Sequence, residues 1–272
     1  MSFAVVTDQT SGLDPSLVAT LRPEHAVAPL LTVPLVVSRV GDRLTTSQPA
    51  IAQIREVLRD ASDGGRLPVV APVLSARISG TGQAFRVAAA QEGVTCEVID
   101  TRTVGGALAL AALAATCQRD ANAAAAVVRE MSAKSATGLV VADLKALARG
   151  GRLQAPKAAL GTALGIVPLI EMRDGALQVT DMVRGRMRAR RRLVTRVLEH
   201  VTGRGKARNR TIEPVDIAVH CADADDDLIG LVDAALAEAE LTVRRRVTMG
   251  LPEVLRAHTG DEFWGFALTP AL

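Results

Sequence analysis

Three short segments are rich in hydroxyl side chains, which makes them candidates for binding a polar ligand. They cover residues 7–11 (TDQTS), 45–49 (TTSQP) and 75–81 (SARISGT). The third segment opens a predicted helix, whose first backbone N–H groups have no partner inside the helix and attract anions. Serine and threonine hydroxyls add neutral donors. The segments therefore suit a carboxylate or a phosphate, although such residues also often cap their own helices.

The same residues allow a catalytic interpretation. Ser79 or Ser75, together with His258 and Asp8, supplies the residue types of a Ser-His-Asp triad. The Gly-x-Ser-x-Gly turn that exposes the nucleophile in many hydrolases is absent from the sequence. We keep a Ser-dependent hydrolase as an alternative function. His220, at the end of a predicted strand, fits either a satisfied core residue or the lining of a pocket.

An acidic cluster resembles a metal site at first sight, with Asp223, Asp225, Asp226 and Asp227 close together. These residues stand at the start of a predicted helix, where negative charge interacts favourably with the helix dipole. The sequence has no GxGxxG turn after a strand and no phosphate-binding loop ending in Gly-Lys-Ser. We therefore predict no metal and no cofactor.

A basic segment runs from Arg184 to Arg210 and contains ten arginines, one lysine and a single acid, Glu199. Nucleic acid, an anionic membrane surface or an acidic protein could bind such a segment. It has no aromatic side chains for stacking on bases, so nucleic acid is the least favoured partner. A solvated helix face followed by a basic loop at 202–214 also explains the composition.

The composition indicates a globular protein with a large core. The chain has 272 residues, of which 49% are hydrophobic but only 2% aromatic, so the core must consist mainly of alanine, valine and leucine. The longest apolar run, Val104–Cys117, is shorter than the roughly 20 residues that span a membrane. The start of the chain does not resemble a signal peptide, and Cys96, Cys117 and Cys221 lack metal-ligand spacing. We expect a cytoplasmic protein with inert thiols.

Strands alternate with helices over the first part of the chain, which predicts a doubly wound, mostly parallel sheet covered on both faces. Ligands of such sheets bind outside the carboxyl ends of the strands. After Gly150–Gly151 the pattern changes to a hairpin around Asp174–Gly175, an amphipathic helix and a strand–helix–strand unit. The predicted fold class is therefore α/β. It comprises an α/β/α domain over 1–155 and a smaller two-layer α/β domain over 156–272.

Eight short motifs occur along the chain: TDQTSGL at 7–13, TTSQP at 45–49, ISGTGQ at 78–83, VIDT at 98–101, LARGGRL at 147–153, IVPLI at 166–170, VRGR at 183–186 and HTG at 258–260. In this order they resemble the motifs of the DegV family of bacterial fatty acid-binding proteins. Each motif is weak alone, but together they cover nearly the whole chain.

The resemblance implies a two-domain α/β fold with a long-chain fatty acid in a tunnel between the domains. It also implies that the protein is no enzyme. A separate fatty acid kinase would phosphorylate the carboxylate while this protein holds it, and the acyl-phosphate would enter phospholipid synthesis. By position, the residues implied at the carboxylate are Thr46, Ser47, Ser75, Ser79, Gly80, Arg184 and His258. Arg152 would lie at the pocket mouth and engage the kinase.

The chain departs from the family pattern at several of these motifs. Gln9 and Ala76 replace hydroxyl residues, Gly82 replaces a tyrosine, and residues 261–263 (DEF) replace glycines. These changes predict a reduced hydrogen-bonding network and a ligand that differs in length or unsaturation. A lipid remains physically reasonable, because about fifteen buried methylenes at about 0.8 kcal/mol each contribute roughly 12 kcal/mol before the costs of association.

Overall fold

A computed structural model describes residues 2–21, 23–40, 43–141, 144, 147–148, 150–154, 165–202, 214–221, 226–260 and 262–271. The helices are α1 Pro15–Leu21, α2 Ile51–Ala61, α3 Thr81–Glu92, α4 Gly106–Ala115, α5 Ala121–Lys134, α6 Arg186–Thr202, α7 Asp226–Glu238 and α8 Glu253–Thr259. The strands are β1 Ala4–Asp8, β2 Leu30–Val33, β3 Val36–Val40, β4 Arg43–Ser47, β5 Val69–Val73, β6 Cys96–Asp100, β7 Ala136–Val141, β8 Leu153–Gln154, β9 Ile166–Arg173, β10 Ala176–Arg184, β11 Val215–Cys221, β12 Val243–Met249 and β13 Phe263–Pro270.

The first sheet has four parallel strands in the order β2-β1-β5-β6. Its strands are apolar on both faces, as expected for a parallel sheet between helix layers. Ala4 and Val6 pack with α2 and α3 on one face, whereas Phe3 and Val5 pack with α5 on the other. This arrangement confirms the predicted doubly wound sheet.

The second sheet has seven strands in the order β12-β11-β13-β7-β9-β10-β8 and mixes parallel with antiparallel pairs. The predicted hairpin is present, because β9 and β10 pair antiparallel around Asp174 and Gly175, both of which have positive φ. One face of the sheet packs on α6 and α7 through a core that includes Leu193 and Trp264. The opposite face packs on α4 through Ala218 and Ala267.

The structure differs from the sequence-based expectation in the strand that follows α5. The alternation of strands and helices over residues 1–155 implied that this strand belongs to the first, mostly parallel sheet. That expectation is wrong, because β7 pairs antiparallel with β13 and β9 in the second sheet. The change of sheet therefore occurs between β6 and β7, before the predicted domain boundary at residues 155 and 156. That boundary stays a prediction. The β3–β4 hairpin and the short helix α8 were not predicted.

Helix α4 lies between the two sheets and contacts both of them. All ten of its residues are buried, which fits a helix that is apolar on every side. Gly106 at its start lies so close to the second sheet that a Cβ atom there would stand 2.3 Å from the Cβ atom of Ala218. The small side chains along α4 therefore determine how closely the sheets approach.

We predict that Gly106→Ala lowers the free energy of unfolding by about 1–3 kcal/mol, because the added methyl group overpacks this contact. Gly230→Ala in the exposed part of α7 is the matched control, since nothing lies within 4 Å of the added atom. This control should gain roughly 0.5–1 kcal/mol from better helix propensity. Urea denaturation measures both changes. Equal stability of Gly106→Ala and the unmodified protein would contradict the proposed close packing.

Candidate binding site between the sheets

A cavity lies between the two sheets, beyond the first residue of α4. Its atom-free space, including the opening to solvent, is about 1070 Å³. The walls are mostly apolar and come from the segments that follow the strands of the first sheet, from the second sheet, from α8 and from the segment before β3. The main apolar contributors are Leu35, Leu74, Val104, Leu139, Leu255 and Phe266. The cavity meets the carboxyl ends of β1 and β5, where ligands of open parallel sheets bind.

A hydrogen bond between Thr46 and His258 forms the centre of a polar cluster in the cavity wall. The Thr46 Oγ1 atom lies 2.7 Å from the His258 Nε2 atom. Thr46 is on β4 and His258 is in the last turn of α8, so the contact joins residues that are far apart in the chain. Side chains alternate along a strand, which explains why neighbouring Thr45 is exposed and bonds Ser38 instead.

The start of α3 supplies the second part of the cluster. The Ser79 Oγ atom lies 2.9 Å from the Thr81 Oγ1 atom and also accepts a hydrogen bond from the Thr81 backbone N–H at 3.3 Å. Gly80 occupies the N-cap position of α3 without a side-chain cap. The amide of Gln48 lies against Gly80, where a Cβ atom would stand 2.1 Å from the Gln48 Nε2 atom. A small residue at position 80 therefore leaves room for this amide beside the helix terminus.

Arg152 is the cation closest to this cluster among the described lining residues. Its Nη1 atom donates to the Gly150 carbonyl at 2.8 Å and its Nε atom donates to the Ile78 carbonyl at 3.4 Å. Burial lowers the pKa of His258 below its ordinary value, and the positive charge of Arg152 lowers it further. The imidazole of His258 is therefore neutral at pH 7 and offers one donor and one acceptor.

The cavity brings together five of the residues expected at the carboxylate, namely Thr46, Ser47, Ser79, Gly80 and His258. Arg152, expected at the mouth, also lines it. Ser75 and Arg184 lie elsewhere among the described residues. The buried Ser75 hydroxyl donates to the Gly175 carbonyl at 2.6 Å, and Arg184 is exposed at the end of β10. Neither residue is among those that line the cavity, and their role at the carboxylate stays a prediction.

Several polar lining residues were not predicted as site residues, among them Thr10, Gln48 and His220. Thr10 and Gln48 lie within the TDQTS and TTSQP segments, so those motifs contained the signal. His220 also lines the cavity, although it is 4% exposed. Its sequence position allowed either a core or a pocket role, and only the three-dimensional packing distinguishes the two.

Of the departures from the family pattern, Phe263 lines the cavity and Asp261 lies outside the described residues. Gln9, Ala76 and Gly82 lie outside the polar cluster. The Oε1 atom of Gln9 accepts a hydrogen bond from the Leu35 backbone N–H at 2.9 Å. Ala76 is exposed, and Gly82 packs against Val73 inside the first domain. Among the three, only Gln9 acts on the cavity, because it holds the backbone of the lining residue Leu35.

The structure does not assemble the alternative Ser-His-Asp triad from the residues that it describes. The Nε2 atom of His258 contacts Thr46, and the Ser79 hydroxyl contacts Thr81. Asp8 accepts hydrogen bonds from the Thr10 N–H at 2.9 Å and the Leu74 N–H at 2.7 Å. Burial raises the pKa of Asp8, while these bonds oppose the shift. Asp8 therefore links the ends of β1 and β5 and does not orient His258.

The predicted acidic cluster cannot be followed fully, because Asp223 and Asp225 lie outside the described residues and α7 begins at Asp226. Within the described ranges, no group of three histidine, cysteine, aspartate or glutamate residues has the arrangement of a metal site. None of the helices there has the length and apolar character needed to cross a membrane.

The model of the family described as "Uncharacterised protein, DegV family COG1307" matches residues 37–271 of this chain. The chain belongs to the DegV family. A DegV domain-containing protein of Streptomyces coelicolor is 30% identical to it over 98% of both chains. A DegV family protein from Thermus thermophilus, described by its fatty acid binding, has the same fold with a TM-score of 0.82, 23% identity and 100% coverage of both chains.

A second solved structure, that of a stearic acid-binding protein from Eubacterium ventriosum, superimposes with a TM-score of 0.78. It is 18% identical to this chain, and the match covers 98% of both chains. These similarities confirm the resemblance and the α/β fold class that the motifs of this DegV protein predicted.

We predict that Arg152→Gln raises the pKa of His258, because the substitution removes the positive charge but leaves the imidazole buried. The pKa should stay below about 6.5, the ordinary value for histidine. With four histidines in the chain, NMR titration of the labelled imidazoles can follow each one. Arg66→Gln is a suitable control, because Arg66 is exposed and pairs with Asp63. An unchanged titration of His258 in Arg152→Gln would contradict this electrostatic interaction.

Proposed function

We propose that this DegV protein binds a long-chain fatty acid and presents its carboxylate to a fatty acid kinase. The observation that carries the proposal is a largely apolar cavity with hydroxyl and imidazole groups clustered in its wall. An aliphatic chain matches the apolar walls, and a carboxylate matches Thr46, Ser79 and His258. The fatty acid binding described for the Thermus thermophilus and Eubacterium ventriosum proteins supports the same ligand class.

The walls and the polar cluster contribute in different ways. Burial of each methylene contributes about 0.8 kcal/mol, so the acyl chain supplies most of the affinity. The Thr46 hydroxyl and the Gly80 region of α3 then need only to fix the position of the head group. The start of α3 adds to this, because a helix N-terminus favours negative charge. Affinity should accordingly depend strongly on chain length and more weakly on single hydroxyl groups.

The type of donor in the cluster favours presentation of a reactive carboxylate. A bidentate arginine would hold a carboxylate tightly and neutralise it. In this site Arg152 is instead bonded to the Gly150 and Ile78 carbonyls, and the groups nearest Thr46 are neutral. Neutral donors orient the carboxylate oxygens while leaving their nucleophilicity largely intact. Arg152 at the cavity then remains available to attract the phosphates of a nucleotide that a partner kinase brings.

The basic segment gives less support to the nucleic-acid alternative. Three arginines of its helical part are paired with acids of this chain: Arg186 with Glu262 at 2.5 Å, Arg192 with Asp181 at 3.2 Å, and Arg196 with buried Glu171. Residues 203–213 lie outside the described residues. These ion pairs reduce the positive charge that the helix presents to phosphates. For this segment we therefore retain two proposed roles, binding to an acidic protein and a transient contact with a membrane surface.

We predict that the protein purified under native conditions carries a fatty acid, detectable by mass spectrometry. Thr46→Val should weaken binding of palmitic acid about 10- to 150-fold, since it removes a hydrogen bond to a charged group worth roughly 1.5–3 kcal/mol. Thr45→Val is the matched control, because Thr45 is the exposed neighbour on the same strand. A ligand-free spectrum combined with no binding of palmitic acid would overturn the proposed function.

We also predict that the loaded protein supports acyl-phosphate formation by the catalytic subunit of a bacterial fatty acid kinase. With ATP, hydroxylamine should trap the product as a hydroxamate, whereas this protein and ATP alone should give none. Arg152→Gln should reduce the rate of trapping more than it reduces fatty acid affinity. Arg66→Gln should leave both unchanged. Hydroxamate formation without the kinase subunit would contradict the role of this protein as a non-catalytic partner. If Arg152→Gln reduced fatty acid affinity and trapping rate by the same factor, the role assigned to Arg152 would be wrong.

A further inference from the structure

His220 is a buried polar group in the cavity that the proposed carboxylate site does not use. It lies at the end of β11, directly opposite Gly265 of β13. Its side chain lines the cavity and is 4% exposed. Among the described residues, neither ring nitrogen makes a hydrogen bond of normal geometry. Buried imidazoles usually have such partners, so this one requires an explanation.

Glycine residues leave space around the His220 ring. Gly105 lines the cavity, and a Cβ atom at that position would stand 3.1 Å from the Nε2 atom of His220. Gly105 has a φ of 68°, in the left-handed region that favours glycine. A Cβ atom at Gly265 would lie 3.4 Å from the Cβ atom of His220. The missing side chain at Gly105 therefore leaves a gap within hydrogen-bonding distance of a ring nitrogen.

The ring is neutral under ordinary conditions. Burial lowers the pKa of His220 to about 4. The nearby backbone of Gly250 raises this pKa slightly, but its contact with the ring lacks the geometry of a normal hydrogen bond. A neutral imidazole has one N–H donor and one acceptor nitrogen. This pair matches a hydroxyl group, which also donates and accepts, better than it matches an alkyl chain or a second carboxylate.

His220 is separate from the carboxylate cluster. Thr46 and His258 belong to β4 and α8, and Ser79 precedes α3, whereas His220 belongs to β11 and faces the start of α4. No hydrogen bond of the described residues joins His220 to that cluster. A ligand whose carboxylate sits at Thr46 would thus meet His220 with another part of its chain.

We propose that His220 forms a second polar subsite, which selects acyl chains carrying a hydroxyl or oxo group at the position that faces the ring. This inference rests on the proposed fatty acid function and names the ligand class more narrowly. An unsubstituted chain leaves the imidazole unpaired against methylene groups. An oxygenated chain pairs with it. Sites built around a buried hydrogen-bonding group discriminate strongly against analogues that lack the partner.

The test compares palmitic acid with a panel of monohydroxylated and oxo palmitic acids substituted at successive carbons. Affinities are measured by displacement of a fluorescent fatty acid. We expect one regioisomer to bind the unmodified protein about tenfold more tightly than palmitic acid, which corresponds to one hydrogen bond that otherwise stays unmade. His220→Phe should reverse this order, because a ring carbon replaces the unpaired nitrogen. His220→Gln, which retains a donor and an acceptor, should keep part of the preference.

A panel without a preferred regioisomer, or an unaltered preference in folded His220→Phe, would overturn the subsite. Failure of palmitic acid itself to bind would instead reject the proposed function, so the two failures are distinguishable. If His220→Phe does not fold, imidazole NMR of the unmodified protein decides the question. The preferred regioisomer should then shift the His220 signals relative to palmitic acid, and identical spectra with both ligands would reject the proposal.

Discussion

The packing of α4 between two sheets is the constraint on which the rest of the structure depends. Every residue of this helix is buried, and Gly106 meets Ala218 with no space for another carbon atom. Along its length, α4 therefore fills the gap between the sheets with small side chains. Helix α4 begins at Gly106, directly after the lining residue Gly105. The cavity opens at this point, and it lies at the carboxyl ends of β1 and β5 because a helix that follows a parallel strand starts there.

The polar cluster depends on two short elements that are not part of either large sheet. The β3–β4 hairpin pairs with no other described strand, and α8 contacts it. The bond between Thr46 and His258 connects them. A cluster carried by small elements can rearrange around a head group at lower cost than one fixed in a sheet, because fewer buried contacts must change. The apolar walls come mainly from the second sheet, from α8 and from the segments that follow the strands of the first sheet.

Local sequence patterns were sufficient for most of the fold. Asp14 caps α1, as its Oδ1 atom accepts from the Leu17 N–H at 2.7 Å, and Asp174–Gly175 forms the predicted hairpin turn. Local sequence patterns do not predict which distant strands pair with each other, and for this reason β7 was assigned to the wrong sheet. The motifs predicted Thr46, Ser79 and His258, which all line the cavity, but they did not separate Ser79 from Ser75. The two serines differ because of tertiary packing, since the Ser75 hydroxyl donates a hydrogen bond to the Gly175 carbonyl.

The structure shows where the residues that depart from the family pattern lie relative to the cavity. Ala76 is exposed and Gly82 packs on Val73, so neither removes a group from the cavity. Gln9 instead holds the backbone of Leu35, which forms part of the wall. The reduced hydrogen-bonding network at the ligand therefore stays a prediction. Differences in ligand choice between this protein and its relatives should arise from the shape of the cavity walls and from the polar groups within them. His220 is one of these polar groups and is almost fully buried.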